Sequence, residues 1–310
     1  MRRPLIPLLS RPAIAATVFF LAAAMLSPAA RAQGRDFSAV EIKATELAPG
    51  IHMLTGAGGN MGVSSGPDGV FLIDDQFAPL TIRILAAIRT ITDKPVRFVL
   101  NTHWHFDHTG GNENLGKSGT VIVAHDNVRK PLSADQVISA FGRKVPAAPK
   151  AALPTITFND TTTFHMNGQT LHVRHLPRAH TSGDAFVHFR EADVIHTSDL
   201  FFNGFYPFID VEHGGSVAGL IAAVDEMLAL SGPKTKIIPG HGPLADKAAL
   251  QAYRDMLKGI HDRVKQLVDS GTPRAEAVAA KPTQAFDAEW ADGFLRPDVF
   301  AGFVYDSLRK

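Results

Sequence analysis

The stretch VRFVLNTHWHFDH, residues 96–108, joins an apolar strand to a dense group of potential metal ligands. The apolar run predicts the strand at Val96–Leu100. Four side chains of metal-binding type follow it within six positions: His103, His105, Asp107 and His108. Loops at the carboxyl ends of strands can aim side chains into a crevice while the sheet holds their bases rigid. We therefore expect a metal site at this end of the strand.

Three later segments carry ligand types in comparable positions. His180 lies in the loop sequence AHTSGD, Asp199 follows a predicted strand at Val194–Thr197, and His241 lies in PGHG after a strand at Thr235–Ile238. Any one of these side chains could be an ordinary polar loop residue. Their shared placement after strands indicates that the loops converge on one site.

The remainder of the chain proceeds twice from strands to helices. In the first half the predicted elements are strands between Ala39 and Leu54, a hairpin joining Met61–Ser65 to Val70–Asp74, a helix after Pro79, a strand at Thr120–Ala124 and a helical stretch ending near Ala140. A Pro/Ala-rich surface loop at Val145–Pro154 is expected to separate the halves.

The second half repeats this order. Its predicted elements are strands at Thr155–Phe158, Thr162–Met166, Gln169–His175 and Ala185–Phe189, followed by helices at Ser216–Leu230 and from Asp246 to Gly271. Two halves of this kind predict an α/β fold in which two sheets pack together with helices outside.

The first 32 residues have the features of a secretory signal peptide. Three arginines precede an apolar run at residues 13–26, and the sequence A-R-A at residues 30–32 suits cleavage before Gln33. A membrane anchor is the alternative, but this run is shorter than the roughly 20 residues needed to cross a bilayer. We expect residues 33–310 to form a single hydrolase domain that is periplasmic or secreted, without stable membrane insertion.

Composition limits both the partner and the ligand chemistry. Four of the 31 basic residues and none of the 30 acidic ones lie in the first 32 positions, so the remainder has 27 basic residues and a net charge of about −3. This charge gives no electrostatic support for a nucleic-acid partner, and we expect a small-molecule substrate. The chain has no cysteine, so a metal must be held by His, Asp or Glu.

The order HWHFDH, His180, Asp199 and the GH pair at His241 resembles the metallo-β-lactamase superfamily over essentially the whole mature chain. The resemblance implies a four-layer αββα sandwich with two zinc ions per chain at the open edge of its sheets. The implied ligands are His103, His105 and His180 for the first ion, Asp107, His108 and His241 for the second, and Asp199 as a bridge.

The expected function is hydrolysis by a metal-bridging hydroxide that attacks a carbonyl, with Asp107 as the catalytic residue that orients it. Zinc lowers the pKa of its bound water to about 7, which supplies a nucleophile at neutral pH. We expect β-lactamase activity, since strained carbonyls react readily with such a nucleophile. The alternatives are a thioesterase or lactonase of the glyoxalase II-like kind and a non-catalytic metal-binding protein.

Several further side chains are candidates to support this site. Four of them could hydrogen-bond the far nitrogens of the ligating rings, although such residues often serve only as turn caps: Asp74, Thr102, Thr181 and Asp184. His196 is expected to be a packed core histidine. The aromatic segment of residues 201–208 either walls the substrate pocket around Phe205 and Tyr206 or closes the core.

Export is tested by N-terminal sequencing of the protein isolated from its native host, which should begin near Gln33. The paired arginines at positions 2 and 3 leave the general secretory and twin-arginine routes both open. An intact Met1 in a cytosolic fraction would contradict export. It would also favour the thioesterase alternative, because glutathione thioesters are made in the cytosol.

Overall fold

A seven-stranded sheet accounts for most of the first half of the chain. In the computed structural model, which describes residues 36–309, its strands are β1 (Lys43–Ala48), β2 (Ile51–Thr55), β3 (Met61–Gly66), β4 (Gly69–Ile73), β5 (Val96–Asn101), β6 (Val121–His125) and β9 (Ile156–Phe158). The expected signal peptide lies outside the described residues. The strands lie in this order, antiparallel from β1 to β4 and parallel from β4 onward. The predicted hairpin between β3 and β4 is confirmed, with a turn at Pro67-Asp68.

A second sheet of five strands follows. Its strands are β10 (Thr161–Met166), β11 (Gln169–His175), β12 (Ala185–Phe189), β13 (Val194–Phe202) and β14 (Lys236–His241). β11 and β12 have the predicted bounds, whereas β13 continues beyond the predicted end at Thr197. β13 and β14 pair in parallel, and the other pairs are antiparallel.

The side chains of the first sheet alternate between two cores. In β4, Phe71 and Ile73 belong to the apolar cluster between the sheets, whereas Val70 and Leu72 pack beneath helix α1 (Thr81–Ile91). This period of two is expected of a strand whose two faces are both covered. The first sheet is therefore covered by the second sheet on one face and by a helix on the other.

Helices cover the outer face of the second sheet. The long ones are α5 (Val217–Leu230), α6 (Lys247–Asp269) and α9 (Pro297–Leu308), and their buried side chains share one core cluster with those of β13. The shorter helices of the chain are α2 (Phe106–Thr109), α3 (Asn112–Lys117), α4 (Asp126–Leu132), α7 (Arg274–Ala279) and α8 (Asp287–Trp290). Between residues 36 and 309, no helix combines the length and the apolar character that crossing a bilayer requires. The architecture is the αββα sandwich, which confirms the expected fold class.

The helical stretch predicted to end near Ala140 is wrong in its second half. After α4 ends at Leu132, the chain forms a two-stranded hairpin from β7 (Gln136–Ile138) and β8 (Arg143–Val145). β7 contains two successive β-branched side chains, which favour strand over helix. Gly142, at φ 57°, supplies the left-handed conformation that turns the chain into β8. We refer to residues 136–145 as the β7–β8 hairpin.

The division between the two sheets also lies later than expected. The sequence assigns the strand near residues 155–158 to the second half, but β9 pairs in parallel with β6 of the first sheet. The connection at residues 145–154 therefore lies within the first half, and the chain crosses to the second sheet at Asn159-Asp160. A strand of three residues is too short for its own pattern to specify its partner.

Candidate metal centre

The seven predicted ligands meet at one edge of the sandwich. His103 to His108 follow β5, His180 lies in the loop between β11 and β12, Asp199 lies within β13, and His241 is the last residue of β14. The structure places all seven side chains in two adjoining clusters. The strand ends that the sequence predicted therefore do converge.

Three imidazoles and one carboxylate form the first cluster. His105 Nδ1 lies 3.1 Å from His103 Nε2 and 2.9 Å from His180 Nε2. The Oδ2 atom of Asp199 lies 3.7 Å from His103 Nε2 and 3.5 Å from His180 Nε2. All four residues are buried, and their donor atoms lie within 4.8 Å of one another. This spacing suits a single metal ion at the centre of the group.

Asp107, His108 and His241 form the second cluster. Asp107 Oδ2 lies 3.8 Å from His108 Nε2 and 3.4 Å from His241 Nε2, and the two ring nitrogens are 3.4 Å apart. The Oδ1 atom of Asp199 lies 3.1 Å from His108 Nε2 and 3.4 Å from His241 Nε2. The two oxygens of Asp199 thus face different clusters, which is the arrangement of a bridging carboxylate.

Hydrogen bonds behind the imidazoles fix which ring nitrogen carries the proton. His180 Nδ1 donates to the main-chain oxygen of Phe208 at 2.8 Å, and His105 Nε2 donates to Asp210 Oδ2 at 2.9 Å. Since these oxygens only accept, the opposite nitrogen of each neutral ring carries a lone pair that faces the cluster. Two such lone pairs at 2.9 Å repel each other unless a cation lies between them. The donor set therefore fits a metal ion.

Asp74 orients one ring of each cluster, His108 by a direct hydrogen bond and His103 through Thr102. Its Oδ2 atom accepts from His108 Nδ1 and from the Thr102 hydroxyl, each at 2.8 Å, and its Oδ1 atom accepts from the Thr102 backbone N–H at 2.8 Å. The Thr102 hydroxyl lies 3.1 Å from His103 Nδ1 and can accept its proton, because its own proton is directed at Asp74. The predicted contacts of Asp74 and Thr102 with ligating rings are confirmed.

Thr181 and Asp184 support the site in a different way from the one predicted. Asp184 accepts from the backbone N–H of Thr181 at 2.7 Å and from its hydroxyl at 2.5 Å. Burial raises the pKa of Asp184 to about 7, against the opposing effect of these hydrogen bonds. In the described part of the chain neither side chain hydrogen-bonds a ligating ring, so the prediction is wrong, because Phe208 already occupies His180 Nδ1. The pair instead fixes the loop that carries His180.

The two clusters differ in their electrostatics. Burial and the neighbouring His108 lower the pKa of His103 well below its usual value, and burial lowers the pKa of His180 to about 4. Burial acts in the same direction on His108, but the carboxylates of Asp199, Asp107 and Asp74 together raise its pKa well above normal. The second cluster therefore has the stronger negative field, which suits a second dication close to the first.

A break in the pairing of β13 aims Asp199 into the site. The register between β13 and β14 shifts on both sides of Ser198, which has φ 49°. Gly240 permits the close approach, because a Cβ atom there would lie 2.2 Å from Asp199 Oδ1. Oδ1 is buried and accepts no hydrogen bond from the described residues. Its near neighbours are ring nitrogens of His108, at 3.1 Å, and His241, at 3.4 Å, so a cation between these three atoms would satisfy all of them.

Asp210 is a functional residue that the sequence interpretation missed. Its carboxylate accepts from His105 Nε2 at 2.9 Å and from His213 Nδ1 at 2.8 Å. Burial would raise the pKa of Asp210, but the hydrogen bonds from the two histidines hold it well below its usual value. Asp210 lies 105 positions from His105, and its only local signal is the N-cap of the short 3-10 turn Val211–His213.

Some aromatic side chains of the segment after Asp199 lie beside the clusters, and others lie in the core. Phe202 stacks on His241 with ring centroids 5.1 Å apart, and Phe208 lies 5.7 Å from His105. Tyr206 is fully buried, stacks on Phe300 and donates to Asp287, so it cannot line a substrate pocket. The predicted wall around Phe205 and Tyr206 is therefore wrong for Tyr206, and Phe202 and Phe208 flank the clusters instead.

His196 is a core histidine, as the sequence analysis expects. It is fully buried, and its Nε2 atom donates to the main-chain oxygen of Asn60 at 3.1 Å. Burial lowers its pKa to about 4, so it is neutral near pH 7. Although it lies three positions before Asp199, it belongs to neither cluster.

Comparison with known proteins identifies relatives of this chain in sequence and in fold. The family model described as the metallo-beta-lactamase superfamily matches residues 54–241. A probable metallo-hydrolase, YqgX of Bacillus subtilis, is 26% identical over 52% of this chain and 76% of its own length. The acyl-coenzyme A thioesterase MBLAC2 of Bos taurus is 26% identical over 45% of this chain, and the match spans about half of that protein, 54%. The metallo-beta-lactamase from Pontibacter korlensis superimposes with a TM-score of 0.56 at 21% identity, covering 70% of this chain and 99% of its own.

The role of Asp210 is tested by Asp210→Asn, which keeps the shape and the N-cap but removes the carboxylate charge that orients His105. We expect zinc affinity at the first cluster to fall by about 10- to 100-fold, measured by competition with a chromophoric chelator. Asp246→Asn is the matched control, because Asp246 is also an N-cap aspartate and lies at the start of α6. Unchanged affinity, or an equal loss in the control, would contradict this role.

Proposed function

The chain belongs to the metallo-beta-lactamase superfamily and carries candidate metal ligands, and from this premise we propose that it is a dinuclear zinc hydrolase acting on carbonyl compounds. The observation that supports two ions is the position of Asp199. Its Oδ2 atom faces the three imidazoles of the first cluster, and its Oδ1 atom faces His108 and His241. A carboxylate placed in this way holds two cations close together.

Zinc suits the donor atoms of both clusters. Five imidazoles and two carboxylates converge without any sulfur ligand, and neutral imidazole is a preferred zinc ligand. When bound, zinc lowers the pKa of a water molecule to about 7 and polarises a carbonyl oxygen, which permits hydrolysis without a serine or cysteine nucleophile. The residues of the chain then have to hold the ions, orient the water and admit the substrate.

The exposure of the candidate ligands supports entry of the substrate from one side. The side chains of His103 and His180 are each 1% exposed, whereas those of Asp107 and His241 are 21% and 22% exposed. The substrate therefore approaches the second cluster from the side of Asp107 and His241. Asp107 is the carboxylate that an attacking water meets first, so it can accept a hydrogen bond from that water and orient it.

Among carbonyl compounds we propose a β-lactam as the substrate. Its strained cyclic amide is open to attack by a modest nucleophile, and an exported enzyme would meet such compounds outside the cytoplasm. Phe202 and Phe208, which pack against His241 and His105, are buried, and the exposed rings of Phe294 and Phe141 lie against them as apolar surface. The proposal therefore combines a general hydrolytic centre with an apolar surface.

Thioester hydrolysis is the second candidate. One matched relative, MBLAC2, is named as an acyl-coenzyme A thioesterase, and a thioester presents the same kind of carbonyl to the centre. The non-catalytic alternative is less well supported, because Asp107 is kept and remains exposed to solvent although six other ligand candidates are available. A binding site without catalysis would not need that exposure.

Metal content is the first test of this proposal. Elemental analysis of zinc-replete protein should give close to two zinc ions per chain. His180→Ala should chiefly remove the first ion and His241→Ala the second, whereas His261→Ala on α6 should retain both. A reproducible maximum of one ion, or an equal loss of both ions from either ligand variant, would contradict two separable sites.

Catalysis is tested by Asp107→Ala, assayed against a panel of β-lactams, thioesters and lactones. Loss of the carboxylate that orients the attacking water should lower kcat on the order of 10²-fold or more. Asp126→Ala is the matched control, since Asp126 lies in the first turn of α4 as Asp107 lies in that of α2. Near-normal turnover of Asp107→Ala with full metal content would refute the mechanism. Cleavage of thioesters but not β-lactams would leave the proposed mechanism in place and replace only the proposed substrate.

A further inference from the structure

The β7–β8 hairpin is fixed beside the clusters by contacts at both of its ends. At its base, the backbone N–H of Ala147 donates to Asp135 at 2.8 Å and that of Ala148 donates to the main-chain oxygen of Leu132 at 2.8 Å. Near its tip, the backbone N–H of Ser139 donates to Glu212 at 3.2 Å, two residues beyond Asp210. The hairpin is therefore tied to the segment that orients His105.

The strand register decides which side chains of the hairpin face the site. Arg143 pairs with Ile138, and Lys144 pairs with Val137. Directly opposed residues of an antiparallel pair share one face, and successive residues alternate. Ile138 is buried in the same apolar cluster as Trp104, which lies between His103 and His105, whereas Val137 and Lys144 are exposed. Arg143 is thus on the inward face and Lys144 on the outward one.

The guanidinium of Arg143 stacks on the residue that precedes Asp107. Its central carbon is 3.4 Å from the ring centroid of Phe106, the first residue of α2 and the neighbour of Asp107. Burial lowers the pKa of Arg143, and the negative charge of Asp107 opposes that shift. Arginine nevertheless stays protonated at neutral pH.

The hydrogen-bond donors of this guanidinium are not used by the fold. Within residues 36–309, no hydrogen bond or ion pair of the Arg143 guanidinium meets the usual distance and angle limits. A guanidinium offers five N–H donors in a planar fork that matches a carboxylate. Arg143 therefore carries a positive charge near Asp107 with donors that are free to receive an anion.

Exposed apolar surface lies at the tip of the hairpin that carries Arg143. Phe141, at the tip of the hairpin, is 47% exposed and its ring centroid lies 4.8 Å from that of Phe208. Phe294 is 56% exposed and lies 6.4 Å from Phe141. An exposed aromatic pair at the tip of a hairpin that carries a half-buried cation suits a ligand with an apolar body and one negative group.

We propose that Arg143 binds a carboxylate on the non-reacting part of the substrate and thereby selects carbonyl substrates that combine an apolar body with a carboxylate. This inference rests on the proposed hydrolytic function of the same site. Arg143 lies on the β7–β8 hairpin, 56 positions before Asp199 in the chain. A purely structural arginine, stacked on Phe106 and balancing Asp107, is the competing explanation.

The test uses matched substrate pairs that differ in one charge. The pairs are a chromogenic cephalosporin with its free carboxylate and its methyl ester, and a succinyl thioester and its methyl ester. Arg143→Ala should raise KM for the carboxylate member by about 10- to 100-fold, in line with the loss of a charge-assisted hydrogen bond. KM for the ester and kcat for both members should change little.

Two further variants separate charge from structure. Arg143→Lys should restore part of the binding, because a point charge remains without the bidentate geometry. Lys144→Ala removes an exposed cation from the opposite face of the same strand and should leave KM unchanged for both members. An equal rise in KM for acid and ester, or no change for either, would overturn the proposal.

A binding measurement distinguishes failure of this inference from failure of the proposed function. Calorimetric titration of the zinc-loaded protein with phenylacetate and with phenylacetamide needs no turnover. The acid should bind more weakly to Arg143→Ala than to the wild-type protein, and the amide should bind equally to both. If the wild-type protein hydrolyses no pair but this difference persists, the hydrolase proposal fails and the anion site stands. If the difference is absent, the anion site fails whatever the activity.

Discussion

The structure depends on one electrostatic constraint: ring nitrogens with lone pairs and two carboxylates are held together at an edge of the sandwich. His105 Nδ1 and His180 Nε2 lie 2.9 Å apart, and Asp199 Oδ1 is buried without a hydrogen bond from the described residues. Such a group is unfavourable by itself and favourable around cations. It is held in place because Asp74, Asp210 and the main-chain oxygen of Phe208 each accept from the far side of a ligating ring.

The backbone makes this arrangement possible at specific points. The interrupted register around Ser198 turns Asp199 inward, and Gly240 leaves room for its carboxylate. Gly59 does the same for His108, since a Cβ atom there would lie 2.0 Å from His108 Cε1. The sheets contribute rigidity and the loops contribute direction, so the fold itself positions the candidate ligands. Access is then limited to the side of Asp107 and His241.

The parts of the site that could be predicted from the sequence are those whose signal lies within a short segment of the chain. The candidate ligands are grouped after strands, so the pattern of strand followed by His or Asp was enough to predict that they converge, and the two-sheet architecture followed from alternating elements. Asp210 and Arg143 could not be predicted, because their neighbours in space, His105 and Asp107, are distant in sequence and only the fold brings them together. Tyr206 was misplaced for a related reason, since a run of aromatic residues does not reveal which rings face Phe300 and which face the clusters.

The central claim is that Asp199 bridges two metal ions. Hydrogen bonds to the candidate histidine ligands hold these rings in position for binding. Anomalous diffraction at the zinc edge from crystals of the zinc-loaded protein tests this claim most directly. The account predicts two peaks roughly 3.5–4 Å apart. One should be bound by His103, His105 and His180, the other by Asp107, His108 and His241, with one oxygen of Asp199 on each. A single peak, or two peaks of which only one contacts Asp199, would contradict it.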